Sequence, residues 1–155
     1  MGSYGHSHNT AKVVDKGCKH NCKNRLTDKG EIMLNCIVVG AGGFIGTILR
    51  YLTGLIPVKE TTVFPVKTFM INILGCLAIG SIAALTAKNL SLSPKLVLFL
   101  KVGICGGFTT FSTFALETTE LMKNGHLGIA FLYLILSTVL GISAVFLADI
   151  LIQRV

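Results

Sequence analysis

The sequence predicts an all-α membrane protein of four transmembrane helices, the third broken at mid-membrane, and three observations carry that prediction. Of 155 residues, 52% are hydrophobic and only 14% charged, against about 25% charged in an ordinary soluble domain. The apolar residues gather into four runs, each long enough to cross a bilayer, which takes about 20 residues as helix. Seventeen glycines and no tryptophan accompany them, a usage suited to helices that approach backbone to backbone in lipid. Water-soluble enzymes are excluded on this ground.

Residues 1–32 are polar, without apolar periodicity, and read as a flexible basic N-terminal extension ahead of a four-helix membrane domain over 33–155. The first span, 33–56, stops at Pro57. At about 36 Å of helix it is long enough to cross with some tilt, and it is too long for a signal-peptide core. The second, 66–87, lies between Pro65 and Lys88, after a polar linker that carries Lys59, Glu60 and several threonines. The third, 94–122, opens on the helix-start pair Ser93-Pro94 and is interrupted by GICGGFTT at 103–110, where the helix is expected to break. The fourth, 127–152, follows the turn dipeptide Asn124-Gly125 and ends near Arg154. Four crossings bring both termini to one side.

The net charge of +7 sits unevenly among the 14 lysines and arginines. Six lie in the extension: Lys12, Lys16, Lys19, Lys23, Arg25 and Lys29. A basic tail before a hydrophobic run indicates cytoplasmic placement and contact with anionic lipid. Nucleic acid is not indicated, because no aromatic interleaving or reading motif accompanies the charges. Outside the tail, Lys88, Lys95 and Arg154 on the termini side face Lys59, Lys67 and Lys123 on the other. A core so balanced can insert either way up, and two oppositely inserted copies can pair about a twofold axis in the membrane plane. The tail favours cytoplasmic termini. It also holds His6, His8, Cys18, His20 and Cys22, residue types that bind Zn²⁺ or Cu⁺ but in a loose spacing equally consistent with an unstructured tail. His at position 6 fails the N-myristoylation pattern, and the five cysteines show no paired extracellular spacing, so no structural disulfide is expected.

Few polar groups remain inside the spans. Gly43, Gly46, Thr47 and Arg50 share a helix face in the first. The small residues suit close helix packing, and Arg50, costly in lipid unless paired or snorkelled, suits a structural role near the span's end. Asn72 in the second either cements helices by hydrogen bonds or turns its amide to a pore. In the third, irregular backbone survives only where protein or a polar cavity satisfies it, and freed carbonyls near Gly106 and Thr109 suit a small cation such as Na⁺. Beyond the break, Thr110, Thr113, Glu117 and Glu120 fall within about 80° of helical arc, with Phe111 and Phe114 beside them. Phenyl edges are positive, so two of them with Ser and Thr donors can replace part of an anion's hydration; equally, a Phe pair three residues apart can serve packing alone. Two carboxylates repel an anion unless protonated or turned to solvent. The fourth span adds Tyr133 and Ser137 four residues apart, with Gly141 next along that face.

GGFIGTILRY at 42–51, Asn72-Ile73-Leu74-Gly75, GICGGFTTFSTF at 103–114 with Glu117, and Tyr133 with Ser137 together resemble the Fluc/CrcB fluoride channels over residues 34–152. The resemblance implies a multi-pass protein of the plasma membrane, an antiparallel dual-topology homodimer with two pores, passive fluoride export and no enzymatic step. It also implies a structural Na⁺ at the dimer centre. Carried over by residue, Phe111 and Phe114 form the phenyl box, with Ser112 and Thr113 beside them. Asn72 is the pore amide, Glu117, Tyr133 and Ser137 complete the polar track, and Gly106 and Thr109 offer carbonyls to Na⁺. Gly141 departs from the pattern, since some members carry a second hydroxyl one turn after Ser137, and so does the long extension. The alternative is a proton-coupled multidrug exporter of the small four-helix type, which relies on a membrane-embedded Glu in its first helix; here Arg50 is that span's only charge. A third reading is a non-transporting membrane adaptor whose tail binds a partner.

Overall fold

The computed structural model describes the backbone of residues 8–57, 63–88 and 92–154, with side chains from residue 28 onward within those ranges. The described elements are all helical: α1 (His8–Gly54), α2 (Val66–Ala87), α3 (Pro94–Val97), a π-helical stretch (Leu98–Cys105), α4 (Gly106–Phe108), α5 (Phe111–Lys123) and α6 (Leu127–Arg154). Four segments are long and apolar enough to cross a membrane: Asp28–Gly54, Val66–Ala87, Pro94–Lys123 and Leu127–Arg154. They coincide with the four expected spans to within a few residues at each end.

The chain divides into two compact units, Met1–Ile37 and Val38–Val155. In the first, the backbone is helical from His8, well ahead of the apolar run that was expected to open the helix at Met33. The backbone is thus helical over 8–32 as well. Nucleation is the costly step in helix formation; once an apolar segment is helical, each residue added at its end needs only propagation, and no proline stands between positions 8 and 32 to stop it. The metal-ligand types at His6, His8, Cys18, His20 and Cys22 lie outside the residues whose side chains are described.

In the second unit α2 and α6 pack along each other most extensively. Lipid tails are as apolar as leucine, so helices in a membrane gain little from burying large apolar side chains and associate through close van der Waals contact. Most of the buried positions are accordingly small, Gly80, Ala84, Gly141, Ala144 and Ala148 among them, with Ile71 and Tyr133 the large exceptions. A Cβ on Gly80 would stand 2.9 Å from the Val145 Cα, so the backbones themselves set the separation. Large side chains such as Ile135, Phe131 and Phe146 face outward. Two lysines hold α2 at its ends: Lys67 Nζ donates to the Gly54 carbonyl at 2.9 Å, and Lys88 Nζ to the Ile152 carbonyl at 3.1 Å. Both acceptors are last-turn carbonyls, which lack intrahelical donors and carry the negative end of the helix dipole.

The glycines of the third span do not break it. Gly106 and Gly107 are helical, and Gly103 and Gly107 instead serve as contact surface for α1. A Cβ on Gly42 would meet the Phe99 carbonyl at 2.5 Å, one on Gly107 the Gly43 carbonyl at 2.6 Å, and one on Gly46 would run into the Ile104 carbonyl. The small-residue face of α1 includes Gly42 and Gly46, a G-x-x-x-G spacing, with the Gly43 backbone close against Gly107. A Cβ on Gly43 meets open space. The break falls at Thr109 (φ −81°, ψ 158°) and Thr110 (φ −149°, ψ 110°), both extended. The Asn124-Gly125 turn ends α5 as expected. Gly125 takes the left-handed φ of 79°, which lets the His126 amide reach the Leu121 carbonyl at 2.9 Å and the Gly125 amide reach Met122 at 3.2 Å.

Candidate functional site

Two threonines rather than the glycines interrupt the helix because competing acceptors capture its amides. Asn72 of α2 clamps Thr110 at both backbone atoms: its Oδ1 accepts from the Thr110 amide at 3.0 Å and its Nδ2 donates to the Thr110 carbonyl at 3.2 Å. The Thr110 hydroxyl then caps α5, accepting from the Thr113 amide at 3.2 Å. In an unbroken helix those amides would bond the carbonyls four residues back, on Gly106 and Thr109. The two carbonyls anticipated as freed are thus the two whose regular donors are diverted. Gly75, one turn beyond Asn72 on α2, leaves the room that the Thr109 methyl occupies. Asn72 therefore cements helices, and it also lines the adjoining groove.

That groove has a volume of about 380 Å³. One wall is Asn72, Thr110, Phe111 and Phe114; the other is Ser137, Thr138 and Gly141 of α6, with Ile142 and Val145. Phe111 is 80% exposed, and its ring centroid lies 5.8 Å from that of Phe114 at a 46° tilt. The sequence thus brought Phe111, Phe114, Asn72 and Ser137 to one cavity. Gly141, where no hydroxyl stands, lines it beside Cys76; a Cβ there would reach the Cys76 sulfur at 3.4 Å. The Ser137 hydroxyl is buried and, among the described residues, has no hydrogen-bond partner. Several other hydroxyls in the spans bond the carbonyl four residues back, as Thr138 does to Leu134 at 2.8 Å and Thr118 to Phe114 at 2.7 Å.

A second polar cluster adjoins through Phe114. Glu117 accepts at Oε1 from the Thr68 hydroxyl at 2.6 Å and at Oε2 from the Tyr133 hydroxyl at 2.9 Å. Tyr133 is fully buried, boxed by the edges of Phe114 at 4.9 Å and Phe64 at 5.3 Å. Glu117 and Tyr133 do not line the groove, and neither do Ser112 and Thr113. Thr113 accepts from the Thr110 hydroxyl at 2.9 Å and Ser112 stands 3.4 Å from it. Glu120, placed by spacing on the same track, is exposed. Thr68 escaped the sequence reading, although it lies four residues before Asn72 and so on the same face of α2. Arg50 is half-buried on α1. Among the described residues, no three His, Cys, Asp or Glu side chains gather as a metal site.

Residues 37–148 match the family model described as "CrcB-like protein, Camphor Resistance (CrcB)". The chain belongs to the CrcB family. It is similar to proteins named "Fluoride-specific ion channel FluC" from several bacteria. That of Flavobacterium psychrophilum is 44% identical over 113 residues, 72% of this chain and 91% of the relative. That of Chlorobaculum tepidum is 43% identical over 120 residues, 77% and 95% respectively. The Azobacteroides pseudotrichonymphae protein is 40% identical over 115 residues, 74% and 92%. As a CrcB-family member with four crossing helices, the chain is a multi-pass protein of the plasma membrane and a transporter rather than an enzyme. The family match covers the glycine seam, the break, the groove and the Glu117 cluster, and it begins after the basic extension.

Proposed function

We propose that this chain is a fluoride-selective channel through which fluoride leaves the cytoplasm passively, assembled as an antiparallel dual-topology pair with two pores. Hydrogen fluoride is a weak acid that enters neutral and dissociates inside; a passive exit for the anion lowers its internal concentration. One observation carries the proposal: the buried Ser137 hydroxyl, with no protein partner, in a groove whose facing wall holds the Phe111 and Phe114 rings. A buried hydroxyl without a partner costs about 1–3 kcal/mol. Here the cost is offset when an anion accepts from it, while phenyl edges supply positive potential without a fixed charge. Asn72 directs one amide proton to Thr110 and has a second to offer the ion. Ser112 and Thr113 lie on the turn that carries the rings and stand against the Thr110 hydroxyl, supporting the groove wall from behind.

Glu117 would repel fluoride if its charge faced the groove. Both its oxygens instead accept hydroxyls, from Thr68 and Tyr133, so the cluster holds the carboxylate behind Phe114 and orients that ring. Na⁺ is proposed as a structural ion at the centre of the pair. The carbonyls of Gly106 and Thr109, whose helical donors are diverted, are hard oxygen donors of the kind such a cation takes. The ion would neutralise carbonyl dipoles that face one another across the pair. The multidrug-exporter alternative gains no support, because α1 holds no acidic residue between positions 32 and 54.

The test is reconstitution. In detergent a chain has no membrane sidedness, so purified protomers are free to pair in either sense. Liposomes formed from such protein should release fluoride far faster than chloride, read with ion-selective electrodes. Equal release of both ions from an intact dimer would refute the proposal.

A further inference from the structure

We infer that the Cys76 thiol is the ion-facing donor that follows Ser137 along the groove, open to the permeating ion because residue 141 is a glycine. The inference rests on the channel reading above and names a further residue of that same path. Asn72 and Cys76 stand one turn apart on α2, and Ser137 and Gly141 one turn apart on α6. All four line the groove, and Cys76 is half-buried. A Cβ on Gly141 would come within 3.4 Å of the Cys76 sulfur, the only atom of another helix, among the described residues, within 4 Å of that point. The space that a methyl would fill therefore lies open in front of the sulfur.

The groove offers few uncommitted protons. Thr109 donates its hydroxyl proton to the Cys105 carbonyl at 2.9 Å, Thr110 to the Thr113 hydroxyl at 2.9 Å and Thr138 to the Leu134 carbonyl at 2.8 Å. The lining phenylalanine, isoleucine and valine side chains have none to give. Three side-chain donors remain on its walls: the second amide proton of Asn72, the Ser137 hydroxyl, buried and without a partner among the described residues, and the Cys76 S–H. The contact between positions 76 and 141 puts Asn72 and Ser137 at one level, with the thiol about 6 Å further along the two helices, four residues at 1.5 Å each. A fluoride ion that leaves the Ser137 hydroxyl in that direction meets the thiol next. A neutral S–H is a weak donor, which suits a step where the ion is held only long enough to move on.

Methyl methanethiosulfonate tests where the sulfur faces. Its reaction needs the thiolate, which forms only where water reaches the sulfur. Cys76 gives its proton to water, its sulfur attacks the sulfenyl sulfur of the reagent, a disulfide to the methylthio group forms and methanesulfinate leaves. Liposomes holding the full chain are treated, and the adduct at each cysteine is read by peptide mass. Cys76 should be labelled and the buried Cys105 should not. Gly141→Ala, whose methyl stands against the sulfur, should slow labelling of Cys76 about tenfold by loss of access. Labelling should cut fluoride efflux by at least about tenfold, reversibly with dithiothreitol, and Cys76→Ser, with the other cysteines kept, should show no such response relative to its own untreated efflux. Without any reagent, Cys76→Ala should lower efflux about threefold, the scale of one hydrogen bond. An unlabelled Cys76, a labelled Cys76 with unchanged efflux, or unchanged efflux in Cys76→Ala overturns the inference. The mass readout does not depend on fluoride movement, so liposomes without fluoride selectivity in which Cys76 is still labelled and Gly141→Ala still shields it would sink the channel reading and leave the water-facing thiol standing.

Discussion

Replacing Asn72 with leucine tests the link between the clamp and the break most directly. The change keeps side-chain size but removes both bonds to Thr110, at 3.0 and 3.2 Å. Two outcomes compete for the released amide. If the break is kept, the two lost bonds and the unsatisfied Thr110 amide together cost about 2–4 kcal/mol. If the amide returns to the Gly106 carbonyl, only the bond to the Thr110 carbonyl is lost, about 1 kcal/mol, but the helix closes and the Gly106 carbonyl is no longer free. Either route removes the site while the chain still inserts. The expected result is fluoride efflux reduced by at least about tenfold, corresponding to about 1.4 kcal/mol, with a lower thermal midpoint by size-exclusion in detergent. Asn72→Asp keeps an acceptor for the Thr110 amide, and hydrogen exchange at that amide should stay slow in Asn72→Asp and, if the break is kept, become fast in Asn72→Leu. Unchanged efflux and midpoint in Asn72→Leu would refute the reasoning.

Ser137→Ala removes a buried hydroxyl that has no protein partner, so the thermal midpoint should hold or rise slightly while fluoride efflux falls; a clear loss of stability would mean that the hydroxyl is satisfied after all. Tyr133→Phe deletes the 2.9 Å bond to Glu117 and should cost about 1.5–3 kcal/mol, the range for a hydrogen bond to a charged group, measured by chemical denaturation in detergent. Phe111→Ile should block efflux without lowering the midpoint, since Phe111 is 80% exposed, whereas Phe114→Ile should also lower it by releasing the Tyr133 ring at 4.9 Å. Gly46→Ala drives a methyl into the Ile104 carbonyl, and with only backbone to give way it should destabilise by about 1–3 kcal/mol. Gly43→Ala, into open space, should leave the fold of the chain unharmed.

The four crossings were legible because apolar length is a one-dimensional property, readable without knowing any contact. The same holds for the Asn124-Gly125 turn, where local backbone chemistry decides. Identity at single positions also carried Phe111, Phe114, Asn72 and Ser137 to one groove. The exact point of the break was less visible. The sequence placed it within 103–110, which holds Thr109 and Thr110, but the exact residue depends on which acceptors the helix amides find, and the decisive acceptor, the Asn72 side chain, lies 38 residues away in the chain. Thr68 was missed for the same reason: a threonine at the start of a span is unremarkable until Glu117 of another helix is found 2.6 Å from it. Gly42 adds to Gly43 and Gly46 in the seam, a contribution visible only once the neighbouring backbone is in place. The helical extension was hidden because its polar composition signals solvent exposure and says little about whether an adjoining helix propagates into it.

The two lysines at the ends of α2 give the body a mechanical property. A lone apolar helix meets a bilayer of the wrong thickness by tilting. Here α2, of 22 residues and so about 33 Å long, is tethered through Lys67 to the end of α1 and through Lys88 to the end of α6. Tilting it alone would pull an ammonium off a carbonyl at one end or the other. Each bond is exposed and worth about 0.5–1.5 kcal/mol, so the two bias α2 toward moving with the ends of α1 and α6, and a mismatched bilayer meets a packed body rather than a lone helix.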